Sequence, residues 1–256
     1  MFRGSEAVAG GWLTRGQLRS PELRRICRDV YAAPGAKLTH GLRCRAIALA
    51  LPDGAMITGR SATTVRGVPL SWPEDDVQVL APLGMRLGYR SGLRIRGTEI
   101  EPYDWEPWAG GRIATPMRMA LDLLLARPLP DAVADLDAVL RAGMVDRPML
   151  GRMLAHRSDN GIVLARQALL LADPSAESLP ESRMRLHLLL AGLDPVPQYW
   201  IEDAHGNRIA RADLAFPEHK LAIEYDGDWR DGESWALNRD RNRLNRVQAI
   251  RSALPT

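Results

Sequence analysis

The chain has 256 residues, 46% hydrophobic and 25% charged, enough apolar material for one large domain or two to three small ones. Its net charge is +3, and its two cysteines, Cys27 and Cys44, form no CxxC pair, which leaves no zinc ribbon or dithiol redox motif. Arg3 and Glu6 argue against a secretory signal, and no run of about 18 uncharged apolar residues could span a bilayer, so the expectation is a soluble cytoplasmic protein with no membrane partner.

The small net charge hides a local imbalance. Nine Lys/Arg stand against three Asp/Glu between Met1 and Arg45, and six Arg against three acids after Trp229. Clustered cations suit a polyanion such as nucleic acid, and they also suit a solvated face with no ligand. Near the N-terminus, Thr14 is placed to cap a short helix through Gln17 and Leu18. The stretch from Leu23 to Ala33 alternates like a strand and ends in the Pro34-Gly35 turn. A short helix followed by a basic strand is the layout of a winged helix. "LTRGQLRS" and "RRICRDVYAAPG" resemble the N-terminal winged-helix domain of AbiEi-type antitoxins. The resemblance covers roughly 35 residues. It implies a DNA-binding module over 1–70, with Arg15, Arg19, Arg24, Arg25 and Arg28 as phosphate contacts, and leaves a toxin or defence-system partner open. "RCRAIALALPDGAMITGRSATTVRGVPL" fits two helices around Pro52-Asp53-Gly54.

A mixed α/β region is expected over 71–176. Val77–Leu80 and Leu93–Arg96 alternate like strands, while 116–126 and 131–142 carry helical apolar spacing, separated by Pro128 and Pro130. Tyr103, Trp105 and Trp108 could stack on bases or simply pack. Asp173-Pro174-Ser175-Ala176 reads as a linker.

The last segment, 177–256, is the most informative. Met184, Leu188, Leu189 and Leu193 form a helical apolar stripe after Ser178-Leu179-Pro180-Glu181. Strands are expected over 196–202, 208–216 and 221–226. If Pro217 to Lys220 is the whole connection, Phe216 faces Leu221, Leu214 faces Ile223 and Asp213 faces Glu224. One face then carries Ala212, Leu214, Phe216, Leu221, Ile223 and Tyr225 as a core. The other sets Asp213 opposite Glu224, where like charges repel unless a cation, a shared proton or open solvent compensates. A divalent ion on oxygen ligands is the natural cation. The same register places Asp226 opposite Arg211, so Asp226 is either an ion-pair partner or a metal ligand. Ser178 and Glu181 have capping-box spacing, a role that can coexist with metal binding. Farther on, Arg239, Arg243 and Arg246 form one row of a helix, suited to phosphate oxygens or to a salt-bridged surface.

"ADLAFPEHKLAIEYDGDWRDG", with Glu181-Ser182-Arg183 upstream and "NRDRNRLNRV" downstream, resembles the core of the very short patch repair endonucleases and their actinobacterial relatives over about 75 residues. The resemblance implies a PD-(D/E)XK, restriction-endonuclease-like fold and a DNA endonuclease. It implies a catalytic set of Glu181, Asp213, Glu224 and Asp226, with Mg2+ on Asp213, Glu224 and Glu181. Three departures stand out. The class pattern has a lysine where this chain has Asp226, and Lys220 lies on the connection instead. Asp228, Trp229 and Arg230 stand where the repair endonucleases carry histidines. Few residues follow Leu244, so the expectation is a fold lacking its last strand. A non-catalytic, antitoxin-like DNA-binding regulator is the alternative.

Overall fold

A computed structural model describes residues 1–87, 91–203 and 205–225. It is an α/β protein of the α+β kind, with helices packed around three separate sheets.

The N-terminal unit comprises β1 (Phe2–Arg3), α1 (Gly4–Ala9), a 3-10 turn (Gln17–Arg19), β2 (Arg24–Cys27) and β3 (Val30–Ala32), with strand order β1-β3-β2. Thr14 caps the turn as expected. Its hydroxyl accepts from the Gln17 N–H at 3.2 Å, while Gln17 Oε1 accepts from the Thr14 N–H at 2.8 Å. The helix is one 3-10 turn long. The single strand expected over Leu23–Ala33 is instead a tight hairpin that reverses at Arg28-Asp29. Asp29 takes the left-handed φ of +64°, which short polar side chains tolerate, and its carboxylate accepts from the Ser5 N–H at 2.8 Å.

The central unit begins with α2 (His40–Ala50), capped by the Thr39 hydroxyl on the Leu42 N–H at 3.1 Å. Then follow β4 (Met56–Ile57), α3 (Gly59–Val65), β5 (Val77–Pro82), β6 (Leu93–Thr98), β7 (Trp105–Trp108) and β8 (Gly111–Ala114). They make a five-stranded mixed sheet ordered β6-β5-β4-β8-β7. β4 pairs antiparallel with β5 and parallel with β8, so the sheet joins residues on both sides of position 70. The first two expected segments therefore share one core. Trp105 and Trp108 are partly buried against it, and the Arg112 guanidinium lies 3.8 Å from the Trp105 ring centre. Of the three aromatics considered for base stacking, Tyr103 alone is largely exposed.

α2, α3 and α4 (Pro116–Leu125) pack against this sheet, and α5 (Leu129–Arg141), α6 (Arg147–Ala155) and α7 (Ile162–Leu171) pack on α4. α8 (Leu179–Leu190) follows, then β9 (Val196–Glu202), β10 (Arg208–Phe216) and β11 (Leu221–Ile223), a sheet ordered β11-β10-β9. α5 is buried from Ala132 to Val139 and still carries Asp135 and Asp137. Such charges survive burial only when paired. Arg60 clamps Asp135 with two bonds, at 2.6 and 2.8 Å, and Arg185 of α8 meets Asp137 at 3.0 Å. Arg183 reaches Asp131 at 2.7 Å. Leu186 joins the same apolar core, so α8 and its sheet are docked on the central unit through α5. Among the described residues no helix is long and apolar enough to cross a membrane.

Burial pushes the Asp137 carboxyl up to about 6 from 3.8, against the pull of Arg185. A folded-state value above the unfolded one means that the native state binds the extra proton, so this contribution to stability falls as pH rises through that window. Relative to Asp137→Asn, the wild-type chain should therefore gain up to about 3 kcal/mol between pH 7 and pH 4. Urea midpoints of both proteins across this range check it. A gap that does not move with pH would contradict the shift.

Candidate metal and nucleic-acid site

The C-terminal sheet positions the expected acids. β10 and β11 pair with Phe216 opposite Leu221 and Leu214 opposite Ile223, the register read from the sequence. A 3-10 turn at Pro217–His219 and Lys220 in the left-handed region, at φ +51°, close the connection. The printed pairing ends at Leu214 and Ile223, and Glu224 follows the end of β11. Asp213 is half-buried, and its Oδ2 accepts from the Tyr225 N–H at 2.8 Å. That bond supplies part of the compensation that the expected carboxylate pair requires.

The two faces differ from expectation in detail. Ala212 and Leu214 are buried, but Leu221 and Tyr225 are 50% and 49% exposed. Among the described residues β11 is a three-residue strand at the edge of its sheet. Ala215, beside the acids, is buried.

Glu181 lies in the first turn of α8. Its N–H donates to the Ser178 hydroxyl at 3.3 Å, and that hydroxyl donates back to Glu181 Oε1 at 2.7 Å. Glu181 Oε2 accepts from the Glu177 N–H at 2.9 Å and from the Gln198 side-chain amide at 3.0 Å. The capping role is thus the one the geometry displays. Three donors already engage the carboxylate that the resemblance assigned to metal. Among the described residues no three Asp, Glu, His or Cys side chains converge as a metal-holding group. The expected set of Glu181, Asp213 and Glu224 is therefore not assembled as a metal-holding group among the described residues. Asp213 and Glu224 alone would match Mg2+, which takes one or two carboxylates and fills its octahedron with water and phosphate oxygens.

Arg211, two residues before Asp213 on the same face of β10, pairs with Glu177 at 2.6 Å. Its cross-strand partner is Trp200, whose ring centre lies 5.7 Å from the Arg211 guanidinium and 4.9 Å from that of Arg208. Asp226, Arg239, Arg243 and Arg246 lie outside the described residues, and so does the region of the expected missing strand. Sequence reasoning missed Gln198, Glu177 and the Trp200 cluster. The signal for Gln198 was one uncharged polar residue in the apolar stretch Val196–Ile201.

The N-terminal arginines fall on one small unit. Arg15 precedes the 3-10 turn, Arg19 ends it, Arg24 and Arg25 lie on β2, and Arg28 sits at the hairpin reversal. All five are exposed, and none forms an ion pair among the described residues. Arg24 donates to the Ala36 carbonyl at 3.1 Å and Arg25 to the Cys27 carbonyl at 3.3 Å. Guanidinium groups held at the backbone without a carboxylate partner are available to phosphate oxygens.

No family model matches the chain. A crystal structure of the RV2827C protein from Mycobacterium tuberculosis aligns over 78% of this chain and 76% of that one, at a TM-score of 0.43 and 18% identity. Two curated proteins of Mycobacterium tuberculosis match almost end to end: uncharacterised protein MT2308 of strain CDC 1551 / Oshkosh and uncharacterised protein Rv2248 of strain ATCC 25618 / H37Rv. Each is 31% identical over 245 residues, covering 91% of this chain and 84% of the relative. At that identity and coverage the chain belongs to the same family as these two mycobacterial proteins.

Proposed function

We propose that this protein is a Mg2+-dependent DNA endonuclease in which a basic N-terminal unit grips the duplex and the C-terminal sheet carries the phosphodiesterase site. What supports the reading is the β10/β11 register, which pairs Leu214 with Ile223 and, carried one residue further, would set Asp213 across from Glu224. The resemblance to very short patch repair endonucleases supports the reading. Asp213 and Glu224 would hold the metal, with one Asp213 oxygen fixed by the Tyr225 N–H. Bound magnesium would polarise the phosphate and activate a water for in-line attack. Glu181 orients Gln198 and caps α8. Arg15, Arg19, Arg24, Arg25 and Arg28 bind backbone phosphates, and Arg239, Arg243 and Arg246, which lie outside the described residues, are further nucleic-acid contacts in this reading. The experiment is incubation of the full chain with end-labelled duplex in Mg2+ and in EDTA. Cleavage restricted to Mg2+ supports the reading, and an intact duplex under both conditions defeats it.

One observation favours a second reading. The Glu181 carboxylate is already engaged by three donors, as in a site that has left catalysis for structure. A DNA-binding, antitoxin-like regulator with a degenerate nuclease fold would then bind duplex without cutting it, with a toxin or defence-system protein as its partner. Both readings share the N-terminal grip. Alanine at Arg24 and Arg25 should weaken duplex binding similarly across sequences and lower the magnitude of the log–log salt slope by about 1 for each phosphate no longer neutralised. Fluorescence anisotropy at several salt concentrations measures it, and an unchanged slope would remove these arginines from the interface.

A further inference from the structure

A cleft of about 510 Å3 opens where the N-terminal hairpin meets the central unit. Clefts of this size at the junction of two units are the usual seats of small ligands. Its apolar wall is made by Ile26 of β2, Ile47 and Leu51 at the end of α2, and Leu87 and Leu93. Ile47, Leu87 and Leu93 pack on the central core and still line the cleft. The side chains of Arg28 and Arg43 share this lining. Arg43 is braced by backbone alone. Its Nη1 donates to the carbonyls of Pro73 at 2.6 Å and Asp75 at 2.7 Å, and its Nη2 to that of Gly92 at 3.3 Å. Carbonyls accept its protons but bring no net charge to cancel its own. The Asp75 carboxylate turns instead to the Trp72 N–H, at 2.8 Å. Neither arginine forms an ion pair among the described residues. The cleft thus combines an apolar wall with two cations that lack an acid.

We propose that this cleft binds an organic acid with an apolar body, its carboxylate at Arg28 and Arg43 and its chain or ring against the apolar wall. A guanidinium matches a carboxylate in a fork, and charge-assisted bonds of this kind are about twice as strong as neutral ones. A purely apolar ligand would desolvate two cations without pairing them, and a bare inorganic anion would leave the apolar wall unused. Arg28 is also one of the arginines assigned to DNA, and this coupling, unlike the cleft itself, rests on the DNA-binding reading. An acid that engages Arg28 weakens duplex binding, and duplex weakens binding of the acid by the same factor. The N-terminal unit would then respond to a small molecule.

The test is octanoate binding to the full chain without DNA, measured by calorimetric titration, with octanol and octylamine as neutral and cationic counterparts. Wild type should bind one octanoate, bind octanol roughly 10-fold more weakly, and not bind octylamine. Arg28→Ala, at an exposed position, should lose roughly 10-fold in octanoate affinity. Ala50→Trp, which fills the cleft from the last residue of α2, should lose binding altogether. Cys27 adds a local readout. Its thiol lines the cleft, while Cys44 is fully buried and burial pushes its thiol up to about 12. Octanoate should therefore slow maleimide labelling of Cys27, and octylamine should not. Equal affinity for octanoate and octanol, or unchanged affinity in Arg28→Ala, overturns recognition of the charge. Wild-type affinity in Ala50→Trp, or no binding by wild type, overturns the cleft as the site. The coupling is read separately, by anisotropy of a labelled duplex: octanoate should weaken duplex binding to wild type. Duplex affinity unmoved by bound octanoate overturns the coupling and leaves the cleft standing, and failure to bind duplex at all defeats the DNA grip instead.

Discussion

Replacing Arg118 with alanine should cost about 3–5 kcal/mol of folding stability, the usual penalty for stranding a buried charge. Arg118 is 2% exposed and sits in α4 between two buried acids. Its Nη1 meets Asp104 at 2.6 Å and the Glu99 carbonyl at 3.2 Å, while its Nε meets Asp122 at 3.2 Å. Asp122 also accepts from Arg96 and from the Thr58 hydroxyl. Burial pushes the Asp122 carboxyl upward, and Arg118 and then Arg96 pull against that. Deleting Arg118 leaves Asp104 with the Glu101 N–H at 3.0 Å and no neutralising charge among its described contacts. A domain of ordinary stability has about 5–15 kcal/mol in total, so the variant should lose a large part of its urea midpoint. Arg118→Lys should fall between the two, because an ammonium keeps the charge but cannot span both acids as the guanidinium does. An alanine variant within about 1 kcal/mol of wild type would show that this network is incidental to stability, as exposed pairs usually are.

The second large effect falls on activity. Asp213→Ala should reduce Mg2+-dependent cleavage on the order of 100-fold or more, since removing a ligand costs at least what removing its support does. The same change removes the acceptor of the Tyr225 N–H, so stability must be followed alongside. Asp213→Asn separates the two effects: it keeps a side-chain oxygen for Tyr225 and removes the charge. If Asn folds like wild type and still fails to cut, the loss belongs to metal binding. Duplex affinity in EDTA should stay near the wild-type value for both variants, because the proposed grip on DNA lies in the N-terminal arginines. Cleavage retained in Asp213→Asn would move the chemistry away from this strand pair.

The parts legible in the sequence were those with local causes. The β10/β11 register follows from apolar alternation on both strands and a connection too short to allow a slip. Thr14 with Gln17 and Ser178 with Glu181 were readable as caps, since a side-chain oxygen three residues from an open N–H is a short-range signal. The hairpin at Arg28-Asp29 was not readable, because its turn uses an aspartate at positive φ where a glycine would have announced it. Long-range partners were hidden for a different reason. Arg60 and Asp135 lie 75 positions apart, and Arg185 and Asp137 lie 48 apart, so no periodicity links them. For the same reason, nothing near residue 70 shows that β4 continues a sheet built mostly from later strands. At the site itself, the pairing of Leu214 with Ile223 and of Phe216 with Leu221 was legible from register alone. The engagement of Glu181 by Gln198 was not, since it depends on how α8 docks beside β9.

The central claim is that Asp213 and Glu224 form a working metal site, and supercoiled-plasmid relaxation by wild type and Glu224→Ala, side by side in Mg2+, tests it most directly. Wild type should convert supercoiled DNA to the nicked form, and Glu224→Ala should bind the plasmid and leave it supercoiled. Equal nicking by the two proteins, or tight binding with no nicking by wild type, would contradict the account.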